Sequence, residues 1–262
     1  MRALSVLSAK GDEFVPPSSV DFVLPPIFEN ISFITKPILL IIFSALVIGL
    51  VVSISARKAA VVPSKMQFAG ELVYGFVRKD LGQEIIGHEF RRFMPYLFSL
   101  FTFILLNNFF GIIPFIQFPS FSRISFAYVL GVIAFGVFHY VGVRKQGIKK
   151  YVKDIMFMPG VPKPVYILLT PIEIATFLVV RPLTLALRLF ANMFAGHLLL
   201  MIFFLGGEHL LQGAIAMKAV GVFAFGMGIA LTFFEFLVQC LQAYIFTLLT
   251  ALYIAGGLAD EH

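Results

Sequence analysis

The chain has 262 residues, of which 60% are hydrophobic and only 13% are charged, and its mean hydropathy is +0.96. Soluble globular domains are roughly 45–50% apolar and about 25% charged, so a soluble fold of this length could not bury so much apolar surface. The net charge of +6 comes from basic residues beside apolar runs, with no nucleic-acid-binding motif, which indicates contact with an anionic membrane face rather than with nucleic acid.

The first third of the chain contains one span and one amphipathic segment. Residues 1–36 are polar and rich in proline without the apolar core of a signal peptide, and they predict an irregular N-terminal segment. Residues 37–56 are apolar and long enough to cross about 30 Å of hydrocarbon. Residues 63–90 predict an amphipathic helix, for which two interpretations are equally favoured: it lies on the membrane surface, or it packs on protein.

Four further apolar runs follow. Residues 93–118 and 124–143 have the length of single spans, the second and the third. Residues 164–207 and 213–258 are too long for one upright span each, because ~42 residues of helix extend over about 60 Å, twice the hydrocarbon thickness. Each of these two runs is therefore either a pair of spans or one long, tilted helix.

Basic residues follow the first and the third span and are almost absent from the opposite loops. The two clusters contain Arg57, Lys58, Lys65, Arg78, Lys79, Arg91 and Arg92, and then Arg144, Lys145, Lys149, Lys150, Lys153 and Lys163. Because cytoplasmic loops carry an excess of Lys and Arg, the N-terminus is predicted outside and the C-terminus in the cytoplasm. The prediction is the same whether both long runs are counted as one crossing each or as two, because the total number of crossings stays odd.

Ionisable residues inside membrane segments are candidates for function, since a central Arg costs about 2.5–3.5 kcal/mol on insertion scales. The two long runs contain the charged or titratable residues Glu173, Arg181, Arg188, His197 and Glu235 and the amides Asn192, Gln239 and Gln242. Helical spacing places Glu235, Gln239 and Gln242 in one stripe, and it places His197 on the opposite side of its helix from Arg188. The small residues Gly221, Ala224 and Gly228 extend the stripe, either for close helix packing or as part of a pathway.

Arg188 is always charged, so it cannot relay a proton, but it can favour the ionised form of a nearby carboxylate. Two interpretations stay open from the residues alone. In one, Arg188 and Glu235 form a static ion pair that joins two helices. In the other, His197, Glu235 and the amides form a hydrated polar lane that a fixed cation interrupts. For Arg181 the favoured prediction is that its side chain extends to the membrane surface.

Four stretches together carry a specific resemblance. They are RPLTLALRLFANMFAGH at 181–197, EFLVQCLQAYIF at 235–246, NNFFGIIP at 107–114 and VPSKMQ at 62–67. In combination they resemble subunit a of the F-type ATP synthases of bacteria. The resemblance extends over most of the chain from about Pro63, and residues 1–36 match least.

The resemblance implies an all-α integral membrane protein with three roughly upright transmembrane helices, a surface amphipathic helix, and a hairpin of two long tilted helices. It implies that Arg188 faces a ring of c subunits and separates two proton half-channels. Asn192, His197, Glu235 and Gln242 would line the outer half-channel, with Gln239 beside them, and Glu173 matches a carboxylate upstream of the arginine. Further implied partners are the b-type subunits of a peripheral stalk, the lipid bilayer and protons, in a bacterial plasma membrane more than in an organellar one.

The resemblance implies no cofactor, no metal and no catalysis by this chain, which also lacks a Gly-x4-Gly-Lys-Ser/Thr loop for nucleotides. The alternative function is a proton-coupled secondary transporter, although no internal repeat indicates one. A zinc protease is disfavoured, because His88-Glu89 is followed by Arg92 where a second His is required.

Overall fold

The computed structural model describes residues 14, 16–22, 24, 35–57, 65–113, 116–156 and 165–258, and in these ranges the chain is helical, with no strand. Eight α-helices of nine residues or more occur in this part of the chain. They are α1 (Lys36–Arg57), α2 (Lys65–Phe76), α3 (Phe90–Phe109), α4 (Ile124–Gln146), α5 (Ile148–Met156), α6 (Tyr166–Ala175), α7 (Arg181–Leu211) and α8 (Ile215–Leu258).

The two longest runs are each one continuous helix. A π-helical turn, Thr176–Val180, joins α6 to α7, so that Tyr166–Leu211 forms 46 helical residues, and α8 has 44. At 1.5 Å per residue these helices are about 69 and 66 Å long. The long-helix interpretation therefore holds, and the pair-of-spans interpretation does not. With α1 and α4, they are the four helices in the described ranges that are long and apolar enough to cross a membrane.

The second predicted span differs from the structure. Residues 93–118 were expected to form one helix, but α3 runs over Phe90–Phe109 and is not among the four described helices that are both long and apolar enough to cross a membrane. Two arginines at its start and Asn107 and Asn108 at its end lower its hydropathy. Beyond α3 the chain turns, since the Phe118 N–H donates to the carbonyl of Phe110 at 3.2 Å.

The two parts of the predicted amphipathic segment differ in how they pack. From α2 the chain continues through a π-helical stretch, Val77–Gln83, whose Val77 and Leu81 are fully buried in the same core as α3. In α2 itself, Phe68 and Leu72 are 58% and 60% exposed. The second part therefore packs on protein, while the first part leaves an apolar face uncovered. Residues 63 and 64 lie outside the described ranges.

The core lies where α3, α4, α7 and α8 meet, and α7 packs against α8 along most of its length. Small residues permit this approach, as the packing interpretation predicts. A Cβ added to Gly221 would lie 3.0 Å from the carbonyl oxygen of Gly207, and one added to Gly228 would lie 3.1 Å from the ring of Phe204. Both positions are thus occupied by the partner helix.

Candidate functional site

Arg188 lies on the outer surface of the α7–α8 pair. Its side chain is exposed, as are Thr184 and Ala191 on the same face of α7, whereas Ala186 and Met193 on the opposite face are buried. In the part of the chain that the structure describes, Arg188 forms no ion pair, and the one ion pair found joins Lys145 to Glu89. The static Arg188–Glu235 pair is therefore not formed, and the guanidinium is available to another molecule.

Glu235 is buried between the two long helices, with 6% of its surface exposed. Its carboxylate occupies the space in which a side chain at Gly196 of α7 would begin. One carboxylate oxygen accepts a hydrogen bond from Nε2 of Gln239 at 3.3 Å. The absence of a side chain at Gly196 thus allows the carboxylate to lie against the backbone of α7.

A second polar contact bridges the two helices one turn of α7 closer to Arg188. The amide Nδ2 of Asn192 donates to Oε1 of Gln242 at 2.7 Å, and Gln242 is buried. Together with Glu235 and Gln239 these side chains form a polar lane behind the face that carries Arg188, in which Asn192 is half-buried and the other three are buried. The predicted stripe of Glu235, Gln239 and Gln242 is therefore brought together with Asn192 in the structure.

Asn108 of α3 joins this lane, although the sequence did not predict it as a site residue. Its Nδ2 donates to the backbone carbonyl of Gln239 at 3.2 Å. Its Oδ1, the Oε1 of Gln239 and the Nε2 of Gln242 are buried without a hydrogen-bond partner among the described residues. Since an unpaired buried polar atom costs about 1–3 kcal/mol, these three atoms are suited to bind water.

His197 faces away from Arg188, as predicted, and borders a cavity of about 280 Å³. Among its lining residues are Asp21, Phe22, Lys36, Gln117, His197 and Met201. The ring of Phe22 packs against His197 with centroids 5.7 Å apart. The short helical turn Ser19–Phe22 therefore packs on this histidine, and the cavity is large and polar enough for water.

The ammonium of Lys36 forms part of the cavity wall. It donates to the carbonyl of Ile116 at 2.7 Å and lies 5.8 Å from the ring centroid of Phe118. His197 directly follows Gly196, so the cavity on one side and the Glu235 carboxylate on the other meet at a single turn of α7. The cavity and the polar lane therefore lie next to each other on α7.

Two other predicted residues lie apart from the lane. Glu173 is half-buried on α6 and precedes Arg188 by about 22 Å along the helix axis. Arg181 does not extend to the surface: its guanidinium lies over the rings of Phe177 and Tyr253, at 4.2 and 5.1 Å from their centroids. This stacking explains how a cation is accommodated at the start of α7. Nowhere in the described ranges do three His, Cys, Asp or Glu side chains converge as metal ligands.

Comparisons with known proteins identify the family of this chain. The family model described as ATP synthase A chain matches residues 13–255. A protein of Nocardioides sp. named ATP synthase subunit a is 49% identical, over 98% of both chains. Proteins of the same name from Pseudarthrobacter chlorophenolicus and Rhodococcus erythropolis are 44% and 43% identical, covering this whole chain and 100% and 97% of their own.

Proposed function

Because this chain belongs to the ATP synthase A chain family, we propose that it conducts protons as the stationary channel subunit in the membrane sector of an F-type ATP synthase, through the lane between α7 and α8. The observation that carries this proposal is the exposed Arg188 in front of a buried carboxylate and amide lane. Nothing in the fold favours the alternative of a secondary transporter.

Protons enter from outside through the cavity beside His197. At the turn that holds Gly196 they pass to Glu235, and the amides of Gln239, Asn192 and Gln242 orient the water that carries them onward. They leave the lane at the surface of α7 near Arg188. There they neutralise a carboxylate on a c subunit of the rotating ring, which in its neutral form can turn into lipid.

Arg188 separates the two half-channels. Its permanent positive charge favours the ionised form of an approaching ring carboxylate, so that carboxylate releases its proton to the cytoplasmic side before it reaches the arginine. Glu173 lies on that side of Arg188 and belongs to the cytoplasmic half-channel. Direct leakage would dissipate about 2.3 kcal/mol per proton for each 100 mV of membrane potential.

The chain takes part in this process without catalysing a reaction. The ring of c subunits lies against the Arg188 face, and b-type stalk subunits hold the chain stationary. The ion pair between Glu89 and Lys145 sets the start of α3 beside the end of α4, so α3 is a fifth crossing antiparallel to α4. With five crossings, the basic clusters support an N-terminus outside and a C-terminus in the cytoplasm of a bacterium, in a multi-pass arrangement in its plasma membrane. Nucleotide chemistry belongs to the soluble part of the complex.

The test is Arg188→Ala in inverted membrane vesicles, with ATP-driven acidification and passive proton leak both measured. We expect pumping to fall to background while passive flow persists or rises, because the polar lane remains but the barrier between half-channels is removed. Thr184→Ala is the matched control, since it truncates an exposed side chain one turn away on the same face. Near-normal pumping by an assembled Arg188→Ala complex would refute the proposed role.

A further inference from the structure

The short helix α5 carries a surface that the proton path does not use. It follows α4 after a sharp turn at Gly147, whose φ of +82° is readily adopted only by glycine. Tyr151 fixes α5 to the bundle: it is buried, its ring covers Gly142, and its hydroxyl lies 2.9 Å from Nδ1 of His139 on α4. Since His139 lies about 10 Å back along α4 from its end, α5 packs beside the end of this span rather than extending it.

The outward faces of α5 are apolar on one side and basic on the other. Ile148 and Val152, one turn apart, are 66% and 48% exposed. Lys149, Lys150 and Lys153 occupy the adjoining face, are exposed, and form no ion pair with any described residue. A short helix with this division between apolar and lysine-bearing faces fits the boundary between headgroups and acyl chains.

The neighbouring helix α6 extends the apolar side. The hydroxyl of Thr170 donates to the carbonyl of Met156 at 2.8 Å and so joins α6 to α5. Ile167 and Leu168 at the start of α6 are 83% and 71% exposed. These exposed apolar side chains adjoin the lysines of α5, and this pairing of apolar and cationic groups suits the acyl chains and phosphates of anionic lipids.

We propose that α5 is a docking site for anionic phospholipids of the cytoplasmic leaflet, with Lys149, Lys150 and Lys153 on the headgroup phosphates and Ile148 and Val152 among the acyl chains. Lysines beside a span attract the anionic lipids of that leaflet. The lipid thereby holds α5, and through Tyr151 it steadies the cytoplasmic ends of α4 and of the α6–α7 helix. This inference rests on the orientation of the chain and is independent of the role of Arg188.

The test uses the assembled complex in vesicles, with Cys240→Ser and Val152→Cys and a fluorophore on the new cysteine. Quenching by bromine-labelled phosphatidylglycerol is compared with quenching by bromine-labelled phosphatidylcholine. We expect phosphatidylglycerol to quench at least about threefold more strongly, with the preference weakened by salt. Lys149→Gln, Lys150→Gln and Lys153→Gln together should bring the ratio close to one, while the three corresponding Lys→Arg changes should preserve it.

The control variant loses the same number of positive charges elsewhere, at Lys65, Arg78 and Lys79, which are exposed on α2 and the stretch after it. Its ratio of phosphatidylglycerol to phosphatidylcholine quenching should equal that of the parent protein. Proton pumping by each variant verifies that the complex is assembled. Equal quenching by both lipids in the parent protein would overturn the proposal. Absence of quenching by either lipid would also overturn it, since a protein partner would then cover α5.

Discussion

The position of the Glu235 carboxylate depends on the absence of a side chain at Gly196. It lies in the space of the missing side chain, where it is held by Gln239 and is next to the turn that exposes His197 to the outer cavity. The helical period predicts the stripe of Glu235, Gln239 and Gln242, because that pattern lies within one helix. It cannot predict Gly196 or Asn108, because their contacts depend on how α7 and α3 are placed against α8.

We predict that Gly196→Ala lowers proton pumping by roughly 10- to 100-fold while the complex still assembles. The three atoms nearest to the new methyl group all belong to the carboxylate of the flexible Glu235 side chain. This side chain can move aside with little loss of folding stability, but its carboxylate then leaves the polar lane. ATP-driven acidification in vesicles measures the effect. Gly226→Ala is the control, since no atom lies within 4 Å of a Cβ added there; equal losses in both variants would contradict the prediction.

The bounds of most helices can be predicted from the local hydropathy pattern of the sequence, and the end of α3 is the exception. The ends of α4 and of the two long helices lie within a few residues of their predicted bounds, since apolar periodicity persists through them. The end of α3 was predicted too late, because the sequence stays apolar through Phe110, Ile112 and Ile113, where the chain has already left the helix and turns. Packing also accounts for the continuity of α8, since α7 contacts it along its length.

We predict that Gly221→Val destabilises the α7–α8 pair by about 1–3 kcal/mol, as overpacking of a core does. The Cβ would lie 3.0 Å from a backbone oxygen of Gly207, which cannot rotate away, so the helices must separate. Thermal unfolding of the purified chain measures the change. Gly226→Val, at an open position on the same helix, should change stability by less than ~0.5 kcal/mol; indistinguishable transitions would contradict the packing argument.

At the scale of the whole molecule, the orientation depends on two basic clusters and on the number of crossings. The basic residues predict the side of each loop, but not that residues near the N-terminus fold over His197. Phe22 is joined to residues far along the chain by ring packing on Phe194 and His197 and by a hydrogen bond from Arg123 Nε to its carbonyl. Neither contact can be predicted from sequence, because an aromatic ring or a backbone carbonyl in a polar segment gives no indication of its partner.

We predict opposite accessibility for two cysteines placed in a Cys240→Ser background. Ile215→Cys, 88% exposed at the start of α8, should react with a membrane-impermeant maleimide only from outside. Lys150→Cys, exposed on the basic face of α5, should react only from the cytoplasmic side. Labelling of right-side-out and inverted vesicles distinguishes the two faces, and labelling of both cysteines from one side would contradict the orientation.

The fold of the N-terminal turn also has a consequence for biosynthesis. Residues Ser19–Phe22 are synthesised before α7, yet Phe22 packs on Phe194 and His197 of that helix. The turn must therefore remain unpacked until α7 has been made and inserted. The cavity beside His197 thus takes its final shape only after α7 is in place, so a nascent chain that ends before α7 cannot present a finished cavity.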